Sequence, residues 1–219
     1  MPNRRSDALP GIRGARREMY RQQILTAAEY EFARTGFAET RVATIAATAD
    51  VSLATLYKNF AGKDEIWNAL VEQRTNELVG LARAATVGVQ SPLERIIVGA
   101  RAQVDFFAQH PNFLRLNVKE NWSWATATEA ARGGQRDAWR VGIAVMVREA
   151  EAAAASGELR HLRPQIVAGL AVSALQVWLT DWVNSGVQRS PSQIADELQD
   201  YLRRLLVVPR ATDTTPLRD

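Results

Sequence analysis

The chain has 219 residues, no cysteine, and a formal net charge of +3 from 27 Lys and Arg against 24 Asp and Glu. This length suffices for one well-buried core, or for a small module fused to a larger one. The absence of cysteine excludes disulfides, thiolate catalysis and cysteine metal sites, and agrees with a reducing compartment. No run of about 18 uncharged apolar residues exists and the Arg-rich start lacks the apolar stretch of a signal peptide, so we expect a cytoplasmic protein.

Positive charge is concentrated in the first part of the chain. Residues 1–63 hold ten basic and six acidic residues, whereas residues 64–219 carry a net charge of −1. Six of those ten basic side chains lie within the first 21 residues, where several prolines and glycines predict a disordered basic arm over residues 1–15. Such an arm can follow a phosphate backbone or enter a minor groove, and a solvated tail without a partner is the alternative.

Three helices are predicted after the arm. The first runs from about Arg16 to Thr35 and ends at Gly36 in a left-handed conformation. Two short helices joined by a tight turn then occupy residues 40–63. Asp50 can take the turn position that favours positive φ, and Ser52 stands where the N-cap of the second short helix belongs.

The second short helix has two faces of different character. Its apolar residues Leu53, Leu56 and Phe60 are expected to point inward. The remaining side chains are expected to stay available to a partner, and they are Ala54, Thr55, Tyr57, Lys58 and Asn59. A short, polar and basic helix face presented in this way fits the major groove of a DNA duplex.

Residues 21–64 contain a run of motif positions, namely Arg21, Ile24-Leu25, Ala27-Ala28, Phe32, Gly36-Phe37 and Thr40, followed by the two short helices and by Phe60-x-x-Lys63-Asp64. This pattern resembles that of the TetR family of transcriptional regulators. The sequence departs from the family pattern at three positions. Asp50 and Ala54 stand where glycine is usual or frequent, and Asn59 stands where an aromatic residue or His is common, which leaves the operator preference open.

The resemblance implies a DNA-binding site and the division of the chain. Ala54, Thr55, Tyr57 and Lys58 would face base edges or nearby backbone in the major groove, and Asn59 would alter a possible contact. Thr40, Arg41, Ser52 and Lys63 would hold phosphates. The implied domains are a helix-turn-helix head over residues 16–62, a helical body over residues 63–208, and a disordered tail over residues 209–219.

The body is predicted to be helical throughout. A helix starting near Lys63 is long enough to link the head to the body, so a signal would pass along it. Further helices are expected from Ser91-Pro92 to before His110-Pro111, from Asn112 to about Asn121, from after the Gly133-Gly134 break to Gly157, from Pro164 to about Asn184, and from Ser190-Pro191 to about Val207. No strand of convincing length appears, so the fold class is all-α.

The last two predicted helices indicate association. Apolar residues of the helix from Pro164 occupy more than one face, which a helix with a solvent side does not need. Doubled by a twofold axis, these two helices would form a four-helix interface, and the resembled family dimerises in this way. The alternative is a fully buried core helix of a monomer. A homodimer would read an inverted-repeat operator in double-stranded DNA.

Aromatic residues of the body suggest a ligand cavity between the helices from 91 to 185. The predicted aromatic lining is Phe106, Phe107, Phe113, Trp122, Trp139 and Trp178, and the predicted polar points are Asn117, Glu120, Asn121 and Gln176. In the resembled family such a cavity binds a small-molecule inducer, here expected to be apolar or aromatic. The alternative is that these aromatic residues only fill a core.

Catalysis finds little support in the sequence. The two histidines, His110 and His161, are far apart, and neither an HExxH motif nor a phosphate-cradling glycine loop is present. No metal, cofactor or enzymatic activity is therefore expected. The leading prediction is a DNA-binding repressor released from a palindromic operator by an inducer. The alternatives are an all-α small-molecule-binding or adaptor protein that does not bind DNA, and a small helical enzyme.

Overall fold

The computed structural model describes residues 11–120, 133–159 and 162–207. These residues form nine helices and no strand, and Leu159 and Val207 make one isolated antiparallel bridge. The helices are α1 (Ile12–Thr35), α2 (Val42–Thr48), α3 (Leu53–Asn59), α4 (Lys63–Ala85), α5 (Pro92–Gln109), α6 (Pro111–Lys119), α7 (Gly133–Ala155), α8 (Pro164–Asn184) and α9 (Pro191–Leu206). The all-α prediction is confirmed.

Contacts divide the chain into two compact units, and the division falls after Val71, inside α4. The sequence analysis placed this boundary at the start of α4 instead. The first turns of α4 belong with α1–α3 because Trp67 is buried against the aromatic rings of α1 and the loop that follows it. Its ring centre lies 5.3 Å from that of Phe32 and 5.0 Å from that of Phe37.

Helix starts in the second unit follow local capping chemistry. Ser91 is the N-cap of α5, and its hydroxyl accepts the backbone N–H of Glu94 at 3.0 Å. Ser190 caps α9 in a reciprocal capping box with Gln193. In both helices proline occupies the first turn, where its missing N–H costs no hydrogen bond. The starts predicted from Ser-Pro pairs are confirmed.

Helix α5 is the centre of the second unit, where it packs against α6, α7, α8 and α9. Its buried side includes Ile97 and Val104. The buried amide of Gln199 in α9 donates to the carbonyl of Ile97 at 3.3 Å, and the carboxylate of Glu94 accepts the guanidinium of Arg203 at 3.1 Å. Apolar burial and these polar contacts hold α5 and α9 in register.

Two helices begin earlier than the sequence predicted. Helix α1 starts at Ile12 rather than Arg16, since the carbonyl of Gly11 accepts the N–H of Ala15 at 3.1 Å and closes the first turn. The Gly133-Gly134 pair, predicted to break the helix, forms the first turn of α7. Glycine costs least at a helix start because the first N–H groups have no intrahelical partner there. The arm predicted over residues 1–15 is wrong for residues 12–15, which belong to α1, and its residues 1–10 lie outside the described residues, as does the tail predicted over residues 209–219.

Helix α8 is long and apolar enough to cross a membrane by length and composition, and half of it is buried in the described structure. The sequence analysis did not find this candidate because Gln165, Ser173 and Gln176 interrupt the apolar run. Its buried residues include Val167, Ala171 and Leu179 in the helix packing of the second unit. Burial inside the protein is a sufficient reason for the apolar composition.

Candidate nucleic-acid interface

The turn between α2 and α3 is closed by two backbone hydrogen bonds. The N–H of Val51 donates to the carbonyl of Ala46 at 3.0 Å, and the N–H of Asp50 donates to that of Ala47 at 3.1 Å. This Schellman arrangement requires a left-handed residue at the position of Asp50, whose φ is 51°. The prediction that Asp50 takes the positive-φ turn position is confirmed.

Helix α3 begins at its predicted cap. The Ser52 backbone is extended, and its hydroxyl accepts the N–H of Thr55 at 3.0 Å. The hydroxyls of Ser52 and Thr55 also lie within hydrogen-bonding distance, at 2.8 Å. The cap satisfies one of the free N–H groups at the start of a helix of only seven residues, which fixes where α3 begins.

The face that α3 buries differs from the predicted one at two positions. Leu56 and Phe60 are buried as expected, but Asn59 is only 8% exposed and Leu53 is 43% exposed. Asn59 lies three residues after Leu56 and therefore on the inward stripe, where its amide donates to the carbonyl of Thr55 at 2.8 Å. The expectations that Asn59 faces a partner and that Leu53 points inward are both wrong. The three-residue spacing of Asn59 from Leu56 is the sequence signal that predicts burial of Asn59.

The exposed face of α3 and its approach form the candidate DNA surface. Its members are Arg41, Ser52, Ala54, Tyr57 and Lys58, with Thr55 half-buried at its edge. Tyr57 is 52% exposed, which is unusual for a large aromatic side chain in so short a helix. The surface carries two cations and no acidic side chain, so it suits a phosphate backbone as well as base edges.

Lys63 does not belong to that surface. Its ammonium donates to the carbonyls of Phe37 at 2.7 Å, Ala38 at 2.9 Å and Thr40 at 3.0 Å, and it lies 4.5 Å from the centre of the Phe37 ring. An ammonium has three N–H donors, and all three are used. The structure therefore corrects the expectation that this ammonium holds a phosphate, because it ties the start of α4 to the loop between α1 and α2.

Thr40 is also held inside the head. It is 4% exposed, and its hydroxyl donates to the carbonyl of Gly36 at 2.7 Å beside the hydroxyl of Thr35 at 2.8 Å. Its backbone N–H donates to the same Gly36 carbonyl at 3.2 Å. The expectation of a phosphate contact from its hydroxyl is wrong because these groups close the loop after α1. Gly36 ends that helix as predicted, with φ 89° and ψ 161°, in an extended positive-φ conformation rather than the left-handed helical one.

A buried carboxylate, which the sequence analysis did not identify, joins α1 to α2. Glu31 accepts the hydroxyl of Thr48 at 2.6 Å and the guanidinium of Arg34 at 2.7 Å. Burial alone would raise the pKa of Glu31, but the hydrogen bonds from Thr48 and Arg34 outweigh it, so the pKa lies below its ordinary value. A glutamate on an otherwise apolar face of α1 is the sequence signal that could have predicted this contact.

The predicted ligand residues in α5 and α6 form a packed cluster. Phe106, Phe107 and Phe113 are buried, and their ring centres lie 5.4 to 6.1 Å apart. Asn117 donates to the carbonyl of Phe113 at 2.7 Å, within its own helix. The sequence analysis gave core filling as the alternative to a cavity lining, and the packing of these rings against one another agrees with core filling. Of the three, Phe107 alone borders a described cavity.

The other predicted ligand residues do not join that cluster as a group. Trp178 packs against Tyr201 of α9, with ring centres 5.0 Å apart, while Gln176 and Glu120 are half-buried in α8 and at the end of α6. Asn121, Trp122 and the side chain of Trp139 lie outside the described residues. Phe107 lines a surface cleft of about 520 Å³ bounded by α5, α6, α8 and the α8–α9 loop, which we call the α6–α8 cleft.

The geometry of the head defines a class of protein. A capped helix with an exposed polar and basic face, set by a tight turn beside a second short helix, is the DNA-binding helix-turn-helix arrangement. Residues 24–70 match the family described as bacterial regulatory proteins, tetR family. The head of the chain is therefore similar to the DNA-binding heads of that family, and a helical body follows it.

A curated relative and several solved structures are similar to larger parts of the chain. The HTH-type transcriptional repressor SCO4008 of Streptomyces coelicolor is 28% identical over 110 residues, which are 50% of this chain and 54% of the relative. The match thus spans about half the length of that protein.

Two solved structures illustrate the shared fold. A TetR family regulator from Shewanella covers 87% of this chain and 99% of its own, with a TM-score of 0.69 and 17% identity. The regulator FadR from Bacillus subtilis, solved in complex with stearoyl-CoA, covers 83% of this chain and 96% of its own, with a TM-score of 0.71 and 16% identity. At these identities the likeness concerns the fold.

Proposed function

We propose that this protein is a homodimeric repressor that binds an inverted-repeat operator in double-stranded DNA and is released from it by a small apolar or aromatic ligand. The observation that carries the proposal is the exposed face of α3, where Tyr57 and Lys58 project from a helix whose Leu56 and Phe60 are buried. A rigid scaffold behind an exposed polar face is what sequence readout in a major groove requires.

The division of labour within that surface follows from side-chain chemistry. Tyr57 and Lys58 lie in the last turn of α3 and are our candidates for base contacts. Arg41 is exposed at the start of α2, where a guanidinium can hold a phosphate. The capped start of α3 at Ser52 is a second candidate phosphate contact through its hydroxyl and neighbouring N–H groups.

Dimerisation is supported by an apolar face on α8 that the described residues of the second unit leave uncovered. Ile166 and Val177 are 41% and 61% exposed. They are three helical turns apart and therefore on the same side of α8. Tyr201 of α9 lies beside this face through its contact with Trp178, so the two last helices expose apolar surface together. A second copy related by a twofold axis would cover both.

Release by a small ligand is proposed from similar proteins. It is supported by the relative named as a repressor and by the FadR structure solved with stearoyl-CoA. A ligand that favours a non-binding state by about 3 kcal/mol would lower operator affinity roughly a hundredfold. We infer that α4 carries this shift, since it is the continuous helix shared by the two units.

The proposal is tested by selecting duplexes from a random pool with the full chain, followed by titration of the enriched sequence at two salt concentrations. We expect an inverted repeat, and an affinity that falls steeply with salt. Lys58→Ala should change the preferred bases at a cost of about 1–3 kcal/mol. Arg148→Ala, an exposed cation on α7, is the matched control and should leave binding unchanged. Enrichment of no sequence, with no salt-dependent binding, would support the non-DNA-binding alternative.

A further inference from the structure

The α6–α8 cleft is a second feature of the body, and its chemistry differs from that of the aromatic cluster. We propose that it binds a small organic monoanion with an apolar body, the apolar part lying on Phe107, Leu114 and Trp182 and the anionic group on Arg115. The proposal names the ligand class for the regulation proposed above, and rests on that function only for its effect on DNA, since binding itself is measured without DNA.

The floor of the cleft is apolar and rigid. Phe107, Leu114 and Trp182 are all buried, and Val183 lies beside them half-buried. The indole N–H of Trp182 donates to the carbonyl of Arg189 at 2.9 Å, so the one polar atom of this side chain is already satisfied. An apolar ligand surface placed here leaves no polar group of the floor without a partner.

The two cations at the cleft are not equivalent. Arg189 is held by the carboxylates of Asp181 and Glu197, which neutralise it locally. Arg115 is exposed, and within the described residues its guanidinium makes one long hydrogen bond, 3.4 Å to the side-chain oxygen of Asn112. Its remaining N–H groups can donate to an anion in a bidentate geometry. One available cation beside an apolar floor favours a single negative charge.

The wall of the cleft is a strained loop. Val187 has φ 59°, a left-handed conformation that a β-branched residue rarely adopts, and its side chain is 46% exposed. The N–H of Val187 donates to the carbonyl of Trp182 at 3.0 Å, and Arg189, two residues later, forms ion pairs with Asp181 and Glu197. The loop is therefore held on both sides of Val187. Strain held by surrounding contacts, with an apolar side chain turned to a cleft, is typical of a preformed binding site.

The size of the cleft sets the scale of the ligand. A volume of about 520 Å³ lies within the range of small-molecule sites, roughly 300–1,000 Å³. Bicyclic aromatic or medium-chain carboxylates match both this volume and the single cation. A molecule with several phosphates would place charge against Asp181 and Glu197, which are exposed near the rim.

The test is calorimetric titration of the full chain with two probes of equal shape, naphthylacetate and naphthylacetamide. We expect the carboxylate to bind about threefold to fivefold more tightly, which is the upper part of the range for an ion pair at an exposed site. Arg115→Gln should remove the preference and leave amide binding unchanged. Arg148→Gln is the matched control, because it removes an exposed cation of the same unit outside the cleft, and it should keep the preference.

A second variant tests the strained wall. Val187→Gly permits the same backbone conformation without strain, so the protein should be at least as stable to heat, whereas naphthylacetate affinity should fall severalfold because the wall loses its apolar side chain. A carboxylate preference that survives Arg115→Gln would overturn the proposal. So would binding that weakens as the protein concentration rises, because a second copy would then occupy the cleft. DNA binding is scored separately, so loss of the operator activity alone would contradict only the proposed function.

Discussion

The ammonium of Lys63 lies 2.7 Å from the carbonyl oxygen of Phe37 and 4.5 Å from the centre of the ring of the same residue. The first residue of α4 thereby clamps the loop that leads from α1 into α2. A cation that the family resemblance assigned to phosphate is used here to shape the head. Replacement of Lys63 should therefore lower the stability of the head, and DNA affinity should fall only because the head is less stable.

We expect Lys63→Ala to lower the stability of the head by about 1–3 kcal/mol, because three carbonyls lose a charged donor. Thermal unfolding would measure this loss. DNA affinity should fall with it, while the slope of log affinity against log salt stays unchanged, since no phosphate contact is removed. Arg41→Ala provides the contrast, because Arg41 is the exposed candidate for a phosphate contact, and it should leave stability unchanged and reduce the slope by about one. A Lys63→Ala protein of full stability with a reduced slope would restore the phosphate role.

The carboxylate of Glu31 predicts how the head responds to acid. The folded state lowers its pKa below the ordinary value of 4.5, so the unfolded chain takes up the proton first as the pH falls. Its stabilisation is complete above about pH 4.5 and is lost as the pH drops through the folded pKa. Glu31→Gln should therefore cost about 1–2 kcal/mol at pH 7, because one hydrogen-bonded charge is removed.

The measurement for Glu31 is chemical unfolding of the wild type and of Glu31→Gln at pH 7 and near pH 3.5. The stability difference should shrink towards zero at the lower pH. Glu151→Gln on α7 is the control, since Glu151 is exposed. A difference that stays constant with pH would show that the contacts of Glu31 do not depend on its charge.

Much of this fold can be predicted from local sequence signals. Ser-Pro pairs predicted the starts of α5 and α9, and Ser52 and Asp50 predicted the turn of the head, because caps and positive-φ positions depend on residues close in the chain. Periodicity also predicted burial of Leu56 and Phe60. Such signals need no knowledge of distant contacts.

The wrong predictions concern side chains whose contacts are made with residues far away in the sequence. Lys63 meets the carbonyls of Phe37, Ala38 and Thr40 more than twenty residues away, and no periodic pattern shows that an ammonium will fill them. The aromatic residues of α5 and α6 could either line a cavity or pack together, and composition is the same in both cases. Trp178 was grouped with them, although its partner is Tyr201 on another helix.

The turn at Asp50 offers a test by substitution. Glycine adopts φ near 51° without the side-chain penalty that aspartate carries, so Asp50→Gly should stabilise the head by up to about 1 kcal/mol. Asp50→Val should destabilise it by about 1–2 kcal/mol, because a β-branched side chain resists the left-handed region. Both changes remove the same negative charge, so thermal unfolding separates conformation from electrostatics. Equal effects of the two substitutions would point to charge instead.

The exposed face of α8 leads to the last prediction, which concerns assembly. Val177 is 61% exposed in the middle of a helix that is otherwise largely apolar, and Val177→Glu would place a charge at the centre of the proposed twofold interface. Burying that charge without a partner would cost several kcal/mol, so the dimer should dissociate while each subunit stays folded. Sedimentation and circular dichroism would measure the two properties.

Dissociation of the dimer should also weaken operator binding. A monomer reads one half-site, so the affinity of Val177→Glu for the inverted repeat should fall to that of the wild type for a single half-site. Val141→Glu is the control, because Val141 is 52% exposed on α7 and lies away from α8 and α9 in sequence. It should leave mass and DNA binding unchanged. A Val177→Glu protein that remains dimeric would move the interface to another face, since a charge could not then be buried at this position.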